Sequence, residues 1–305
     1  MAKTSYGIIS DTHHYSELVT LAIPLLKRLG AERLILNGDL GESRGKIALT
    51  LKQAGESQLE TYAQPGSHEI LQNFEPVIAD LKQKYGNIKN TFDTPKVENS
   101  DHHLVFLPGS DWHTEDAIVN GYYLEKHQDA QSGLYKNERG TIRLTNIDDL
   151  NKLVTEPDKT IVICHIPRKF DDVEKAVDYA YFALSKDGSV MPGVVLENAI
   201  KQRFGQNLTL GQITKIAQDN RFTLRKENRG NTDLRDSYEK LGIKKAISGH
   251  FHESGHRAND RQNKHVPENA FIDELFWNSG CLDSGQCGIL IVEDFIAALA
   301  LIIVP

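Results

Sequence analysis

Residues 6–13, with the sequence YGIISDTH, set the pattern on which the fold of this 305-residue chain rests. The apolar run YGII is typical of a buried strand, and it leads directly into Asp11 and His13. Side chains at positions i and i+2 of an extended segment point to the same side, so this carboxylate and this imidazole can hold one metal ion together. We therefore expect a strand whose carboxyl end carries two candidate metal ligands.

The same pattern, an apolar strand followed at once by a polar motif, recurs four times downstream. The strands are predicted near residues 33–36, 58–63, 160–164 and 244–248. The motifs that follow them are Gly38-Asp39, Gly66-Ser67-His68-Glu69, His165 and Gly249-His250-Phe251-His252. Helical patterns at about 16–29, near 47 and at 70–85 separate the first strands, and Pro24 is expected to kink or split the first helix.

Strands that alternate with helices across short turns indicate an α/β fold. Open α/β sheets bind their ligands beyond the carboxyl ends of the strands, where loops from many strands converge. The sequence therefore predicts that these distant motifs meet in one pocket.

The overall charge weighs against a general nucleic-acid scaffold. Lys and Arg number 35 against 42 Asp and Glu, a net charge of −7, whereas such scaffolds usually carry a basic excess. The acidic balance still permits a phosphorylated substrate, because bound metal ions supply positive charge locally.

Cysteine usage and hydropathy bear on the compartment. The three cysteines, Cys164, Cys281 and Cys287, suggest no disulfide framework. The longest apolar run, residues 295–304, is too short to cross a membrane. We expect a cytoplasmic protein with reduced thiols and no membrane partner.

The region of about residues 170–241 differs from the rest and is predicted to be a helical insertion in a domain that spans residues 1–305. Asp171 is a suitable N-cap for a first helix, whose apolar stripe would comprise Val173, Ala176, Val177, Ala180 and Leu184. Further helices are predicted near 195–204, 210–219 and 232–241. The insertion could form a cap beside the site or pack only on its rim.

The ordered set of motifs resembles the calcineurin-like metallophosphoesterase superfamily. It comprises Asp-x-His, Gly-Asp, Gly-Ser-His-Glu, a single His after a buried strand and Gly-His-x-His, and it covers nearly the whole chain outside the insertion. Asn278-Ser-Gly-Cys281 is similar to the Asn-Pro-Gly-Ser segment of many members. The resemblance implies a four-layer α/β/β/α sandwich, with two mixed sheets packed face to face and helices outside.

The resemblance also implies two metal ions that share one carboxylate. The first ion would be held by Asp11, His13, Asp39 and His252. The second ion would be held by Asp39, Ser67, His165 and His250. Mixed carboxylate and imidazole ligands suit Mn²⁺, Fe, Zn²⁺ or Ni²⁺, and we favour Mn²⁺.

The implied reaction is the hydrolysis of a phosphate monoester or diester by a hydroxide bridging two ions about 3.5–4 Å apart. His68 would protonate the leaving oxygen or stabilise the transition state, and Glu69 would orient His68. A small phosphorylated compound, such as a nucleotide, is the favoured substrate over a protein or nucleic acid. The sequence gives no indication of the oligomeric state.

Two positions depart from known family patterns. Ser67 stands where the family has an Asn whose carbonyl binds the second metal. Ser67 could simply turn the backbone while a water fills the gap in coordination, and the second metal could then bind weakly or the activity could be lowered. Glu42 stands where purple acid phosphatases, a branch of the superfamily, have a Tyr three residues after the Asp of Gly-Asp. A coloured Fe(III)–tyrosinate centre is therefore not expected.

Two other function classes remain open, namely a non-catalytic binding scaffold and a nuclease. Ser67 is the one feature that favours a scaffold, and a nuclease would need a basic groove around the site. Further residues could contact substrate, although ordinary surface or packing roles explain each of them as well or better. They are Trp112, His113, Arg168, Lys169, Arg221, Arg225, Lys226 and Arg229.

Overall fold

The computed structural model describes residues 3–69, 71–110, 146–171, 174–186 and 190–304. Trp112 and His113, which the sequence proposes as substrate contacts, lie outside these residues, as does Val173.

The strands and helices alternate along the described chain as expected for an α/β fold. The strands are β1 (Thr4–Ile9), β2 (Arg33–Asn37), β3 (Glu60–Gln64), β4 (Ile88–Asn90), β5 (Lys96–Glu98), β6 (His103–Leu107), β7 (Thr160–Cys164), β8 (Tyr179–Ser185), β9 (Val190–Pro192), β10 (Phe222–Asn228), β11 (Lys245–Ser248), β12 (Ala258–Asn259), β13 (Leu275–Asn278), β14 (Gln286–Glu293) and β15 (Ile296–Ile303). The α-helices are α1 (Val19–Arg28), α2 (Arg44–Glu56), α3 (Leu71–Tyr85), α4 (Leu150–Leu153), α5 (Gly193–Phe204), α6 (Leu210–Asp219) and α7 (Thr232–Leu241).

Two six-stranded mixed sheets form the body of the structure. The first has the order β15-β14-β1-β2-β3-β4. Strands β1 to β4 run parallel, and β14 runs antiparallel to both of its neighbours, β1 and β15. The second has the order β12-β13-β11-β7-β6-β5, with a parallel centre and an antiparallel strand at each edge.

The sheets pack face to face over a continuous apolar core. Tyr6 and Ile35 of the first sheet meet Phe106 and Trp277 of the second, and all four side chains are buried. Tyr62 stacks on Phe106 with a ring-centroid distance of 5.3 Å. Because successive side chains of a strand point to opposite faces, the alternate residues are free to contact the outer helices.

Helices cover both outer faces, which confirms the four-layer α/β/β/α sandwich. Helices α1, α2 and α3 pack on the first sheet, and Leu234 and Tyr238 of α7 pack on the second. Pro24 does not split α1, which continues from Val19 to Arg28. Thr20, whose carbonyl loses its helical partner to the proline, is an exposed residue. None of the described helices has the length and apolarity needed to cross a membrane.

The helix predicted from Asp171 is wrong. Residues 179–185 instead form β8, the central strand of a three-stranded antiparallel sheet with the order β10-β8-β9. The sequence YAYFALS alternates two tyrosines with buried Ala180 and Phe182, and pairing on both sides stabilises the strand over the helical pattern. Helices α5 and α6 pack on this sheet through Ala183, Leu196 and Ile213.

Candidate metal centre

The carboxyl ends of five parallel strands bring the predicted motifs together. Strands β1, β2, β3, β7 and β11 each end where a predicted polar motif begins. The residues that meet there are Asp11, His13, Asp39, Ser67, His68, His165, His250 and His252.

The side chains fall into two groups that could each hold one cation. Asp11, His13 and His252 form one group, and Asp39, His165 and His250 form the other. Within each group the ligand atoms lie within 4.8 Å of one another. Each group is part of one ligand set that the resemblance implies, without Asp39 in the first and without Ser67 in the second. Another close group, His13, Asp39 and His68, crosses the two sets, and the assignment of ions stays a proposal.

Asp39 lies between the two groups. Its Oδ2 is 3.1 Å from Nε2 of His165 and 3.9 Å from Nε2 of His13. Its Oδ1 accepts hydrogen bonds from the backbone N–H groups of Ser67 at 2.6 Å and His68 at 2.9 Å. The loop after β3 therefore fixes one oxygen of this carboxylate, while the other faces the imidazoles of both groups.

Four of the proposed ligands have left-handed backbone conformations. The φ angles are 53° for Asp11, 43° for His13, 53° for Asp39 and 71° for His250. Non-glycine residues seldom adopt positive φ, and each such residue costs about 1–3 kcal/mol, so the conformation persists only where its surroundings fix it. This strain turns the loops back over the sheet edge and directs their side chains towards a common point.

Two glycines allow the loops to approach the carboxylates closely. A Cβ atom on Gly66 would lie 2.7 Å from the backbone nitrogen of Asp39 and would overlap Oδ1 of the same residue. A Cβ atom on Gly249 would lie 2.5 Å from Oδ2 of Asp11. The glycines of the Gly-Ser-His-Glu and Gly-His-x-His motifs thus meet a steric requirement of the centre.

His165 has the orientation expected of a metal ligand. Its Nδ1 donates a hydrogen bond of 2.8 Å to the backbone carbonyl of Asn37, so Nε2 is the nitrogen that can bind a cation once it has lost its proton. Among the described residues, buried Nε2 has no hydrogen-bond partner of acceptable geometry. A buried nitrogen beside two carboxylates fits a cation that replaces its proton, and the carboxylate and imidazole donor set fits a divalent transition metal.

The buried charges also favour a cation at this position. Burial raises the pKa of Asp39, but the charges of His165 and His68 outweigh it and hold that pKa well below its ordinary value. Burial lowers the pKa of His165, whereas Asp39 and Asp11 raise it to about 10. Both carboxylates are therefore ionised at neutral pH, and their field attracts positive charge.

Glu69 does not orient His68, which corrects the expectation from the sequence. Its carboxylate is buried and accepts hydrogen bonds from four backbone N–H groups, so it holds together the loops after β2 and β3. The donors are Asp39, Leu40, Gly41 and Gly66.

Glu42 takes the role that was expected of Glu69. Its Oε1 lies 2.8 Å from Nδ1 of His13, and its Oε2 lies 2.9 Å from Nδ1 of His68. Burial raises the pKa of Glu42, but hydrogen bonds from His13 and His68 lower it to about 2. The sequence identified this position only as the replacement of a Tyr. A carboxylate three residues after a candidate ligand was the signal that could have revealed it.

Two of the basic candidates, one before the insertion and one in it, have structural contacts. Arg168 is buried, donates a hydrogen bond to Glu239 at 3.0 Å and lies over the ring of Phe170. Lys226 of β10 lies over the ring of Tyr181, its partner on the neighbouring strand β8. These contacts account for their positions without a phosphate ligand.

No protein-family model and no curated protein sequence matches this chain. Among solved structures, TT1561 of Thermus thermophilus superposes with a TM-score of 0.55 at 11% identity, with 100% of both chains covered. A dimetal phosphatase from Danio rerio superposes more loosely, with a TM-score of 0.47 at 11% identity and 99% of both chains covered. Phosphopantetheinyl hydrolase from Mycobacterium tuberculosis superposes with a TM-score of 0.43 at 12% identity, with 92% of this chain and 89% of the hydrolase chain covered.

At sequence identities of 11–12%, such a similarity is evidence for a common fold and not for a common function. The two face-to-face mixed sheets, the helical outer layers and the loops that meet at the carboxyl edge agree with the resemblance seen in the sequence. The chain has a calcineurin-like metallophosphoesterase fold.

Proposed function

We propose that this protein is a dinuclear metal-dependent phosphoesterase that hydrolyses a phosphate monoester or diester. The observation that carries the proposal is the position of Asp39 between two groups of candidate ligands. A pair of divalent transition-metal ions, Mn²⁺ being favoured over Fe, Zn²⁺ and Ni²⁺, would supply the Lewis acidity for this hydrolysis.

Seven side chains would hold the two ions. Asp11, His13, Asp39 and His252 would bind the first, and Asp39, Ser67, His165 and His250 would bind the second. The Ser67 hydroxyl donates a hydrogen bond of 2.8 Å to Oδ2 of Asp39. It therefore lies next to the carboxylate that both ions would share.

His68 is the proposed proton donor to the leaving oxygen. Its Nδ1 contacts Glu42, and its Nε2 lies 3.9 Å from Oδ2 of Asp39, so Nε2 faces the ligand groups. Burial lowers the pKa of His68, but the charge of Asp39 and the hydrogen bond with Glu42 raise it to about 9. A ring that is protonated at neutral pH can hold a proton at Nε2 and release it as the ester bond breaks.

A small phosphorylated compound is the proposed substrate class. The net charge of −7 opposes strong attraction of a polyanion, whereas one phosphoryl group needs positive charge only at the metal centre. Nucleic acid is therefore a disfavoured substrate.

Hydrolysis of an aryl phosphate monoester and diester, measured after removal of metals and stepwise return of Mn²⁺, tests the proposal. We expect two ions to bind per chain and turnover to depend on the second. A protein that binds two ions and hydrolyses neither ester would support the scaffold alternative. Tight DNA binding that weakens steeply with salt would support the nuclease.

Replacement of Ser67 by Asn should tighten binding of the second ion. The Asn side chain is longer than that of Ser, and its amide carbonyl is a better neutral ligand than a hydroxyl. Position 67 lies beside Asp39, so the carbonyl would be next to the proposed ion. Mn²⁺ titration of the metal-free proteins should show the change in the weaker of the two sites, with the tighter site unaltered. Equal occupancy and equal turnover in the two proteins would contradict the role of this position.

Replacement of Glu42 by Gln should lower kcat by about 10- to 100-fold, the usual loss when the partner of a functional His is removed. Loss of the carboxylate also lowers the pKa of His68, because Glu42 helps to raise it. The rate declines as His68 loses its proton, so the alkaline limb of the pH–rate profile should move to lower pH. Glu56→Gln, at an exposed position, is the control. An unchanged alkaline limb would show that Glu42 does not act through His68.

A further inference from the structure

The two ring nitrogens of His252 face two different groups of donors. Nε2 lies 3.5 Å from Oδ1 of Asp11 and 3.1 Å from Nε2 of His13, within the first proposed metal site. Nδ1 lies 3.4 Å from Oδ2 of Asp283. The thiol of Cys281 completes a second group, in which one ligand atom from each of His252, Cys281 and Asp283 lies within 4.8 Å of the others.

The loop that carries Cys281 and Asp283 is fixed to the metal centre. The backbone N–H of Leu282 donates a 3.0 Å hydrogen bond to the carbonyl of Ser10, and that of Asp283 donates one of 3.0 Å to the carbonyl of Asp11. Cys281 is buried, whereas the side chains of His252 and Asp283 are 37% and 18% exposed. An ion can therefore reach this group from solvent and find the donors already in place.

We propose that Nδ1 of His252, Cys281 and Asp283 form a third cation site, selective for a thiophilic divalent ion such as Zn²⁺ or Cd²⁺. Thiolate, imidazole and carboxylate are the ligands that Zn²⁺ takes in proteins. Two such N or O ligands at about 2.1 Å from a tetrahedral ion lie about 3.4 Å apart. The distance from Nδ1 of His252 to Oδ2 of Asp283 is 3.4 Å. Water would take the fourth position.

An ion at this third site would compete with the first proposed metal site, a consequence that rests on the proposed function. A neutral imidazole has one lone pair, so a ring that binds an ion through Nδ1 carries its proton on Nε2. Nε2 is the atom that faces Asp11 and His13. A thiophilic ion therefore withdraws His252 from the first site and inhibits the enzyme.

Cadmium is a suitable probe, because a Cd²⁺–thiolate bond produces an ultraviolet charge-transfer absorption that oxygen and nitrogen ligands do not. The chain has three cysteines, and the other two, Cys164 and Cys287, are also buried. We expect the Mn²⁺-loaded protein to develop the band with one equivalent of Cd²⁺. The Cys164→Ala/Cys287→Ala protein should keep the band, and Cys281→Ser should lose it. A band that persists in Cys281→Ser, or that never forms in the unsubstituted protein, overturns the third site.

A second variant tests the carboxylate without removing the thiol. Asp283→Asn should retain the band but need at least about ten times more Cd²⁺ to half-saturate it, since losing one of few ligands usually costs an order of magnitude or more. Equal affinity would show that Asp283 is not a ligand. Circular dichroism of each variant confirms folding before titration.

Inhibition is measured separately, so that the third site and the proposed function can fail independently. If the protein hydrolyses phosphate esters, Cd²⁺ should inhibit it. The Cd²⁺ concentration that halves the rate should be at least tenfold higher for Cys281→Ser than for the unsubstituted protein, each compared with its own uninhibited rate. Equal sensitivity would refute competition for His252. The absorption band requires no catalysis, so a protein without phosphoesterase activity would still reveal the third site.

Discussion

Replacement of Asp39 by Asn should reduce hydrolysis by at least about 10³-fold, beyond the 10- to 100-fold loss typical of a residue that only supports a ligand. The carboxylate lies between the two ligand groups, with Oδ2 3.1 Å from Nε2 of His165 and 3.9 Å from Nε2 of His13, and it is the proposed ligand of both ions. The amide has nearly the same shape but no charge, and its NH₂ group cannot bind a cation. Both ions should therefore weaken together, whereas loss of an unshared ligand would weaken one.

Metal content after dialysis and turnover at saturating Mn²⁺ measure the two effects separately. Asp93→Asn is a matched control, because Asp93 is an exposed residue whose carboxylate pairs with Lys82. The control should keep both ions and full activity. Retention of two tightly bound ions in Asp39→Asn would mean that Asp39 does not bridge the sites, and the dinuclear proposal would then fail.

The sequence predicted the parts of the centre that depend on strand ends. An apolar strand followed at once by Asp11 or His165 places that residue at the carboxyl edge, whatever the rest of the fold does. The i, i+2 spacing of Asp11 and His13 indicated two candidate ligands on the same side, but alternation along an extended strand explains their directions only in part. The structure turns both residues into positive φ, so strained loop geometry and not simple strand alternation aims them.

The roles of Glu42 and Glu69 were not predictable from position along the chain. Glu69 follows His68 directly, which favoured it as the partner of that ring. Its carboxylate turns instead to the backbone N–H groups of residues 39–41 and 66, because these donors would otherwise be buried without acceptors. The direction of a loop side chain depends on such contacts, which link segments about 30 residues apart.

The sheet of the insertion was missed for a related reason. The apolar residues of β8 fit a helical stripe as well as a strand, and periodicity over a short run does not separate the two. The pairing that selects the strand joins Tyr179 to Asn228 and Ser185 to Phe222. A helical interpretation of residues 171–184 had no information about that distant partner.

Replacement of Gly66 by Ala should lower activity by about 10²-fold, the loss expected when a catalytic group moves by about 1 Å. The added Cβ would lie 2.7 Å from the backbone nitrogen of Asp39 and 2.9 Å from Cδ2 of His165. Asp39 cannot yield locally, because its own N–H and that of Gly66 both donate to the buried Glu69 carboxylate. The whole loop must shift, and the Asp39 carboxylate leaves its position between the two ligand groups.

Gly45→Ala is the matched control, since it makes the same chemical change at an exposed position in α2 where a Cβ meets no atom of the described residues within 4 Å. It should leave turnover unchanged and stabilise the helix by about 0.5–1 kcal/mol. Metal titrations should show weaker ion binding in Gly66→Ala and unchanged ion binding in Gly45→Ala. If Gly66→Ala bound both ions normally and remained fully active, the loop after β3 would have to be more yielding than its hydrogen bonds indicate. The close approach of Gly66 to Asp39 would then be a consequence of the fold and not a condition for assembling the centre.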